Sequence, residues 1–366
     1  FLYMVEYYTG SKIGVKNMTI HDIARLAGVS AGTVSNVLNH SAKVSPKTEE
    51  KVWKIIEEVN YVPNNMARGL KSSNTRTICI ISEDINAFPA ASIVDGICEF
   101  CREQDYHIVL SNLRIHPMIQ GYHYDDYLTG EQFKKDLNDA VQQARALSVC
   151  GILYVSIYPR DIQDILPELD IPVTYCYAYS HGNNYCVNCD DFQGGKLATD
   201  HLIAMGHRKI GLLCGVFDGL PTHKRLLGYQ TALMENSIPY IPEYIIAGAG
   251  WSYEDGYRGC QQLLDLPDPP TAIFAMCDHM AYGAMNAAHE RGLRIPEDLS
   301  IHGYDNMDFS PMAYPALSTV AMPLHDIGRE GARIVIDLVE KRHPKEQGTL
   351  LACTHIPRDS VAPPKE

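Results

Sequence analysis

The chain has 366 residues, 31 Lys/Arg against 44 Asp/Glu and a formal charge of −13, a length too great for one ordinary core and suited to two or three compact units. A pI near 5.6 argues against a uniformly basic nucleic-acid binder, and no stretch approaches the ~20 apolar residues of a membrane span. Eleven Cys without a secretory signal pattern fit a reducing cytosol better than a disulfide framework, so the expectation is a cytoplasmic protein with no membrane partner.

Residues 1–17, FLYMVEYYTGSKIGVKN, carry no helical or strand period and are read as a disordered extension outside the fold. The run TIHDIARLAGVSAGTVSNVLN at 19–39 then places apolar side chains at Ile20, Ile23, Ala24, Leu26 and Ala27, a helical stripe that breaks at Gly28. Ser30 is an N-cap candidate for a second helix from about Ala31 to Asn39, in which Val34, Val37 and Leu38 pack back on the first. Two short helices held by a small turn are either an ordinary αα-hairpin or a helix-turn-helix that enters the DNA major groove. The outward face of the second carries Ser30, Ala31, Gly32, Thr33, Ser35 and Asn36, small or hydrogen-bonding residues that let a backbone come close to base edges. Asn36 is the sharpest reader, since one carboxamide can bond adenine N6 and N7 together, worth ~1–3 kcal/mol of discrimination. Thr19, Ser35, Asn39 and Lys43 are read as phosphate contacts that set register.

SPKTEEKVWKIIEEVN, from Ser45, opens a third amphipathic helix with Pro46 in its first turn and Val52, Ile55, Ile56 and Val59 on one face. A three-helix headpiece over 18–63 follows, then a short helical turn and polar linker over 64–76 that would order against DNA and a partner copy. Residues 1–76 hold ten Lys/Arg against six Asp/Glu, so a basic arm precedes an acidic body that phosphate should repel.

At this point the motifs T-I-x-D-I-A-x-x-A-G-V-S-x-x-T-V-S-x-V-L-N, V-S-P-x-T and Y-x-P-N-x-x-A-R-G-L-K resemble the headpiece and hinge of the lactose-repressor/galactose-repressor (LacI/GalR) family of bacterial transcription regulators. The resemblance covers nearly all of 18–360. It implies that Leu70 is the hinge leucine that wedges into the minor groove beside its dimer mate, with Asn64, Ala67, Arg68 and Lys71 around it. Many relatives have Arg where this chain has Asn36, so the preferred operator should differ.

From residue 77 the body alternates short β-rich runs with helical patterns: TICIIS, IVDGICEFCREQDY, HIVLSN, VCGILYVS and IPVTYCY, then a second set from GGKLATDHLIAMGH to LSIHGYD. That rhythm predicts α/β architecture, two doubly wound lobes with a ligand cleft beyond the carboxyl ends of the strands. DDFQGG, RLLGY, IPEDLSIxGYDN and PRDS are similar to the family's periplasmic-binding-protein-like core. By that likeness the body spans 77–366, with lobe one near 77–175 and 322–343 and lobe two near 176–321 and 344–360. Residues 114–146 read as an insertion on the surface of the first lobe.

The resemblance also places effector contacts at Arg225 and Asp305, which suit vicinal hydroxyls or a ring edge, and at Trp251, whose flat face matches a pyranose. Phe88 would line the other wall, and Cys277 stands where relatives have Asn or Ser. A core Trp and a structural Arg–Asp pair are the alternatives. The expected effector is a small carbohydrate, with a purine or other metabolite behind it.

Cys98/Cys101 and Cys186/Cys189 lie too far apart for a zinc ribbon, the fifteen His show no cluster, and no metal or cofactor is expected. No GxSxG, phosphate loop or HExxH is present, which argues against an enzyme. A transporter's solute-binding protein would fit the body alone but not the headpiece. The reading is a cytoplasmic, nucleoid-associated repressor of sugar-utilisation genes. It would bind operator DNA as a homodimer, or a tetramer, and be controlled allosterically by its effector.

Overall fold

The computed structural model describes residues 18–38, 44–59, 61, 75–115, 130–161, 166, 169–179, 185–344 and 346–365. The chain divides into a unit ending at Ser73 and a unit from Asn74 onward. Within the first, α1 (Ile20–Ala27), α2 (Ala31–Leu38) and α3 (Pro46–Glu58) surround Ile23, Ala24, Ala27, Val34, Val37, Leu38, Val52 and Ile56. Sequence chemistry sets each boundary. Thr19 and Asp22 form a reciprocal capping box before α1, Gly28 ends that helix with φ 62°, and Ser45 accepts the Thr48 amide before α3. One expected core position fails: Leu26 is 50% exposed. Ile55 and Val59 pack only partly against the same core.

In the second unit, β1 (Thr77–Ser82), β2 (His107–Asn112), β3 (Gly151–Val155), β4 (Val173–Cys176), β5 (Tyr185–Cys189) and β11 (Gly348–Leu351) form one parallel sheet in the order β11-β5-β4-β3-β1-β2. One face is covered by α4 (Phe88–Glu103) and α10 (Leu324–Val339), whose Ile93, Ile97, Ile327 and Val335 meet Ile78, Ile80, Leu153 and Val155. The other face is covered by α5 (Glu131–Ala146), through Phe133, Leu137, Ala140, Val141 and Ala144. This corrects the reading of 114–146 as a surface insertion: its second half is the crossover helix of a βαβ unit, while 116–129 lies outside the described residues.

A second parallel sheet has the order β7-β6-β8-β9, from β6 (Ile210–Val216), β7 (Ile245–Gly248), β8 (Ala272–Ala275) and β9 (Ser300–His302). Strand β8 shows the period-two logic: Ala272 and Phe274 join the core under α6 (Asp191–Ala204) and α7 (Leu220–Glu235). Ile273 and Ala275 join the core under α8 (Tyr253–Leu264) and α9 (Asp278–Glu290). β10 (Thr319–Ala321) and β12 (Thr354–Ile356) pair antiparallel beside it.

Because β5 and β11 belong to the first sheet, the crossings between lobes fall near 190 and 352 rather than at the expected 176 and 344. The helix pairs approach through reciprocal glycines. A Cβ on Gly96 or Gly328 would strike the backbone of the opposite helix in the α4/α10 pair, and Gly195 with Gly228 does the same for α6/α7.

Candidate functional site

In the N-terminal unit the candidate surface is the outward face of α2. Gly32, Thr33 and Asn36 share a face by helical spacing, and Ser30 and Gly32 are exposed, with Ala31, Thr33, Ser35 and Asn36 partly so. Ser30 accepts from the Thr33 amide at 3.1 Å, and their hydroxyls lie 2.9 Å apart, so this pair closes the start of the helix that carries Asn36. The Thr19 hydroxyl donates to Asp22 at 2.8 Å, which commits it to the cap of α1 rather than leaving it free for phosphate. Asn39, Lys43, Asn64, Ala67, Arg68, Leu70 and Lys71 lie outside the described residues.

In the second unit residues beyond strands of the two parallel sheets meet, with Tyr158, after β3, against Trp251 and Gly219. Arg225, on α7, is 2% exposed. Its Nε donates to Asp191 at 2.8 Å and its Nη1 to the Met276 carbonyl at 2.5 Å, and its guanidinium lies 3.7 Å from the Tyr304 ring centroid. Asp305 stands 3.9 Å from Nη1. The guanidinium is therefore half of a buried ion pair, with Trp251 and Tyr304 beside it. Among the described residues Nη2 meets the soft Met322 sulfur at 3.6 Å, the weakest of the guanidinium's acceptors.

Asp305 is held at φ 112°, a region that favours glycine. Its amide donates to the Val320 carbonyl at 2.8 Å. The loop behind it is tied to Asp278, which accepts from the Met307 amide at 2.8 Å and from Thr319 at 2.7 Å. Burial pushes the Asp305 carboxyl well above its usual range against the pull of Arg225.

Trp251, before α8, lies against Gly215, where any Cβ would collide with its ring. Its carbonyl accepts the Cys277 thiol at 3.3 Å, and its ring centroid is 5.5 Å from the Arg225 guanidinium. Among the described residues the buried indole Nε1–H has no hydrogen-bond partner. Cys277 is buried, and burial pushes its thiol up, so it offers the cleft a neutral sulfur rather than an amide. Phe88 opens α4 on the opposite lobe, 38% exposed.

Arg225, Asp305, Trp251 and Cys277 thus converge from one lobe. The residues that sequence reasoning missed come mostly from the other. Tyr158, just beyond β3, meets Trp251 edge-on with centroids 6.4 Å apart and abuts Gly219. Glu83, beyond β1, is buried with Arg160 and accepts from Ser156 and the Ile157 amide, each at 3.0 Å. Burial alone would push the Glu83 carboxyl up, but Arg160, Tyr154 and the Ile157 amide outweigh it and hold it below the usual range. The rule that ligands bind beyond strand carboxyl ends points at 156–160 once VCGILYVS is read as a strand.

Cys186 and Cys189 sit in cores on opposite faces of their sheet, and burial pushes the Cys101 thiol up to about 12. The expectation that histidines do not cluster fails, because His201, His302 and His355 converge in the second lobe. Among the described residues no helix is long and apolar enough to cross a membrane.

Comparison with known proteins bears on both units. Residues 19–64 match the family described as bacterial regulatory proteins, lacI family, and residues 199–361 match the periplasmic binding protein-like domain. The HTH-type transcriptional repressor PurR of Haemophilus influenzae (strain PittEE) is 34% identical over 323 residues, 88% of this chain and 91% of that protein. The ribose operon repressor of H. influenzae (strain ATCC 51907) is 33% identical, over 94% of this chain and 98% of its own. Among solved structures, the lac repressor dimer bound to operator and the anti-inducer ONPF aligns with TM-score 0.79 and 27% identity, covering 95% of this chain and all of that one.

Proposed function

From the chain's membership of the lacI family of bacterial regulatory proteins, which makes it a DNA-binding transcriptional repressor and not an enzyme, we propose that it represses sugar-utilisation genes under the control of a small carbohydrate. The helix-turn-helix of residues 18–63 reads the operator through Ser30, Ala31, Gly32, Thr33 and Asn36. The segment 64–76 with Leu70 forms the minor-groove hinge. Two copies joined through their bodies, as in the lac repressor dimer, present two headpieces to a pseudo-palindromic site. The setting of that work is the bacterial cytoplasm, on the nucleoid.

The observation that carries the effector reading is the cleft itself, where Arg225, Asp305 and Trp251 converge and the indole Nε1–H lacks a partner among the described residues. A ring bearing hydroxyls supplies what that set lacks: acceptors for the indole and guanidinium, groups that donate to or accept from the Asp305 carboxyl in either protonation state, and a C–H face for the indole plane. Tyr158 rests against Trp251, so the ligand enters by displacing it. A purine is the second reading, favoured by the Trp251 indole plane, on which a flat base can stack, and by the neutral Cys277 thiol.

The test is a thermal-shift screen of sugars, nucleobases and nucleosides on the full chain, followed by operator titrations with and without each hit. A sugar that raises the melting temperature and changes operator affinity supports the proposal. A nucleobase hit replaces the sugar with the second reading, and a panel in which no ligand alters operator affinity sinks the allosteric part.

A further inference from the structure

His201 lies near the end of α6, His302 ends β9 and His355 sits in β12, far apart in sequence and on three different elements. Their rings meet at centroid distances of 4.3 Å (His201–His355), 5.3 Å (His302–His355) and 5.4 Å (His201–His302). One ligand-capable nitrogen from each lies within 4.8 Å of the others. We propose that this cluster is a trihistidine site for a borderline divalent cation, zinc being the best match to three imidazoles and an open fourth position.

Three features of the nitrogens support a site rather than a chance stack of rings. His201 Nδ1, His302 Nε2 and His355 Nε2 are all buried from solvent, and none has a hydrogen-bond partner among the described residues. Buried polar atoms are rarely left so, and three imidazole nitrogens without partners in one cluster are able to present lone pairs to a Lewis acid. His302 Nδ1 lies 2.9 Å from the Gly303 carbonyl, which can only accept, so Nδ1 carries the proton and Nε2 carries the lone pair. That is the outer hydrogen bond by which proteins fix the tautomer of a metal-ligating His. Zinc at ~2.1 Å from each nitrogen in a tetrahedron would hold them ~3.4 Å apart, so the rings have to close by a modest rotation about their side-chain torsions.

Placement gives the site a consequence. His302 immediately precedes the Gly303–Tyr304–Asp305 turn that serves the cleft, and His355 belongs to the strand that returns the chain from the first lobe to the second. A bound ion would cross-link α6, β9 and β12 and so pin the last crossing to the lobe that carries Arg225. The inference does not depend on the identity of the effector.

The test uses the full chain without an affinity tag, stripped with chelator and kept reduced. Zinc is titrated by calorimetry with metal analysis, and cobalt(II) serves as a spectroscopic probe. The expected result is one zinc per chain and a raised melting temperature. Cobalt should give visible ligand-field bands without the near-ultraviolet charge transfer of thiolates, which sets the site apart from the eleven Cys. His355→Leu and His201→Gln should each weaken zinc binding at least about tenfold, the loss of one ligand in three, with far-UV dichroism unchanged. Uptake well below one equivalent, a thiolate spectrum, or affinity equal to wild type in a folded variant would overturn the site. The cobalt spectrum of the unaltered chain decides the matter even if both variants misfold.

Discussion

Arg225 shows how one side chain serves both stability and binding. Its charge is compensated by Asp191 at 2.8 Å, with Asp305 3.9 Å away, and the Arg225 and Asp191 side chains are almost wholly shielded from solvent. Removing one partner of a buried pair leaves an uncompensated charge, which costs more than the pair contributes. Asp191→Asn should therefore lower the free energy of unfolding in urea by about 3 kcal/mol. A loss under about 1 kcal/mol would mean that Asp305 already balances the guanidinium. Glu83 makes a pH-dependent contribution of known sign. Its folded pKa is depressed, so its stabilisation is present above the ordinary carboxylate range and disappears as pH falls through and below it. Glu83→Gln should flatten the stability profile in that acid window, and a variant profile that keeps the wild-type slope would contradict the assignment. Trp251→Phe separates stacking from donation in the cleft. It keeps an apolar ring and deletes Nε1–H, so effector affinity measured by calorimetry should fall about tenfold, the value of one donor to a polar ligand, with little change in melting temperature. None of these partnerships is legible in the chain. Arg225, Asp305 and Trp251 are named by resemblance, whereas Asp191, Tyr158 and the three His owe their roles to neighbours that sequence spacing does not reveal.

Local chemistry makes the headpiece the most readable part of the sequence at the level of elements. A glycine stop, a Ser cap and a Pro start each specify a helix end within a few residues, and the structure uses all three, while Thr19, read from the sequence as a phosphate contact, caps the first helix. Leu26 misleads because a three-helix core is narrow: Ile23 and Ala27 face inward and Leu26 falls just outside that arc. In the body, helix α5 is hidden in a polar stretch, since only its 133, 137, 140, 141 and 144 stripe is apolar. Strands β5 and β11 fall in the other lobe from the one expected because short strands state no preference between two parallel sheets. Gly28 gives the element-scale test. It sits at φ 62° with no atom closer than 3.8 Å to a built Cβ, so space is available and only the backbone objects. Gly28→Ala should cost the headpiece about 1–2 kcal/mol, the penalty for a left-handed L-residue. The loss should appear as weaker operator binding and a lower headpiece melting transition, with effector affinity unchanged. A Gly28→Ala variant as stable as wild type would show that the turn between α1 and α2 relaxes out of the left-handed region.

For the whole molecule the decisive quantity is the free energy that couples effector to operator. Each proposed ligand belongs to a different unit of one chain: the proposed base-reading residues lie in the unit that ends at Ser73, and the proposed effector residues in the unit that begins at Asn74. The acidic body carries most of the negative charge and the headpiece most of the basic excess, so operator affinity should reside in the smaller unit while the larger one sets whether it is expressed. If a single two-state equilibrium joins them, thermodynamic linkage fixes the result whatever geometry the bound states adopt. The factor by which saturating effector changes the operator Kd must equal the factor by which saturating operator changes the effector Kd, in either sign. A coupling of ~1–3 kcal/mol corresponds to about 5- to 150-fold in both directions. Anisotropy titrations of labelled operator with and without effector give the first factor, and calorimetry of effector with and without operator gives the second. Equal factors confirm that both sites bias the same equilibrium. Unequal factors under matched salt and protein concentration would mean that a linked species has been left out of the cycle. A metal at His201, His302 and His355 is the first to control, by repeating both titrations in chelator and in zinc.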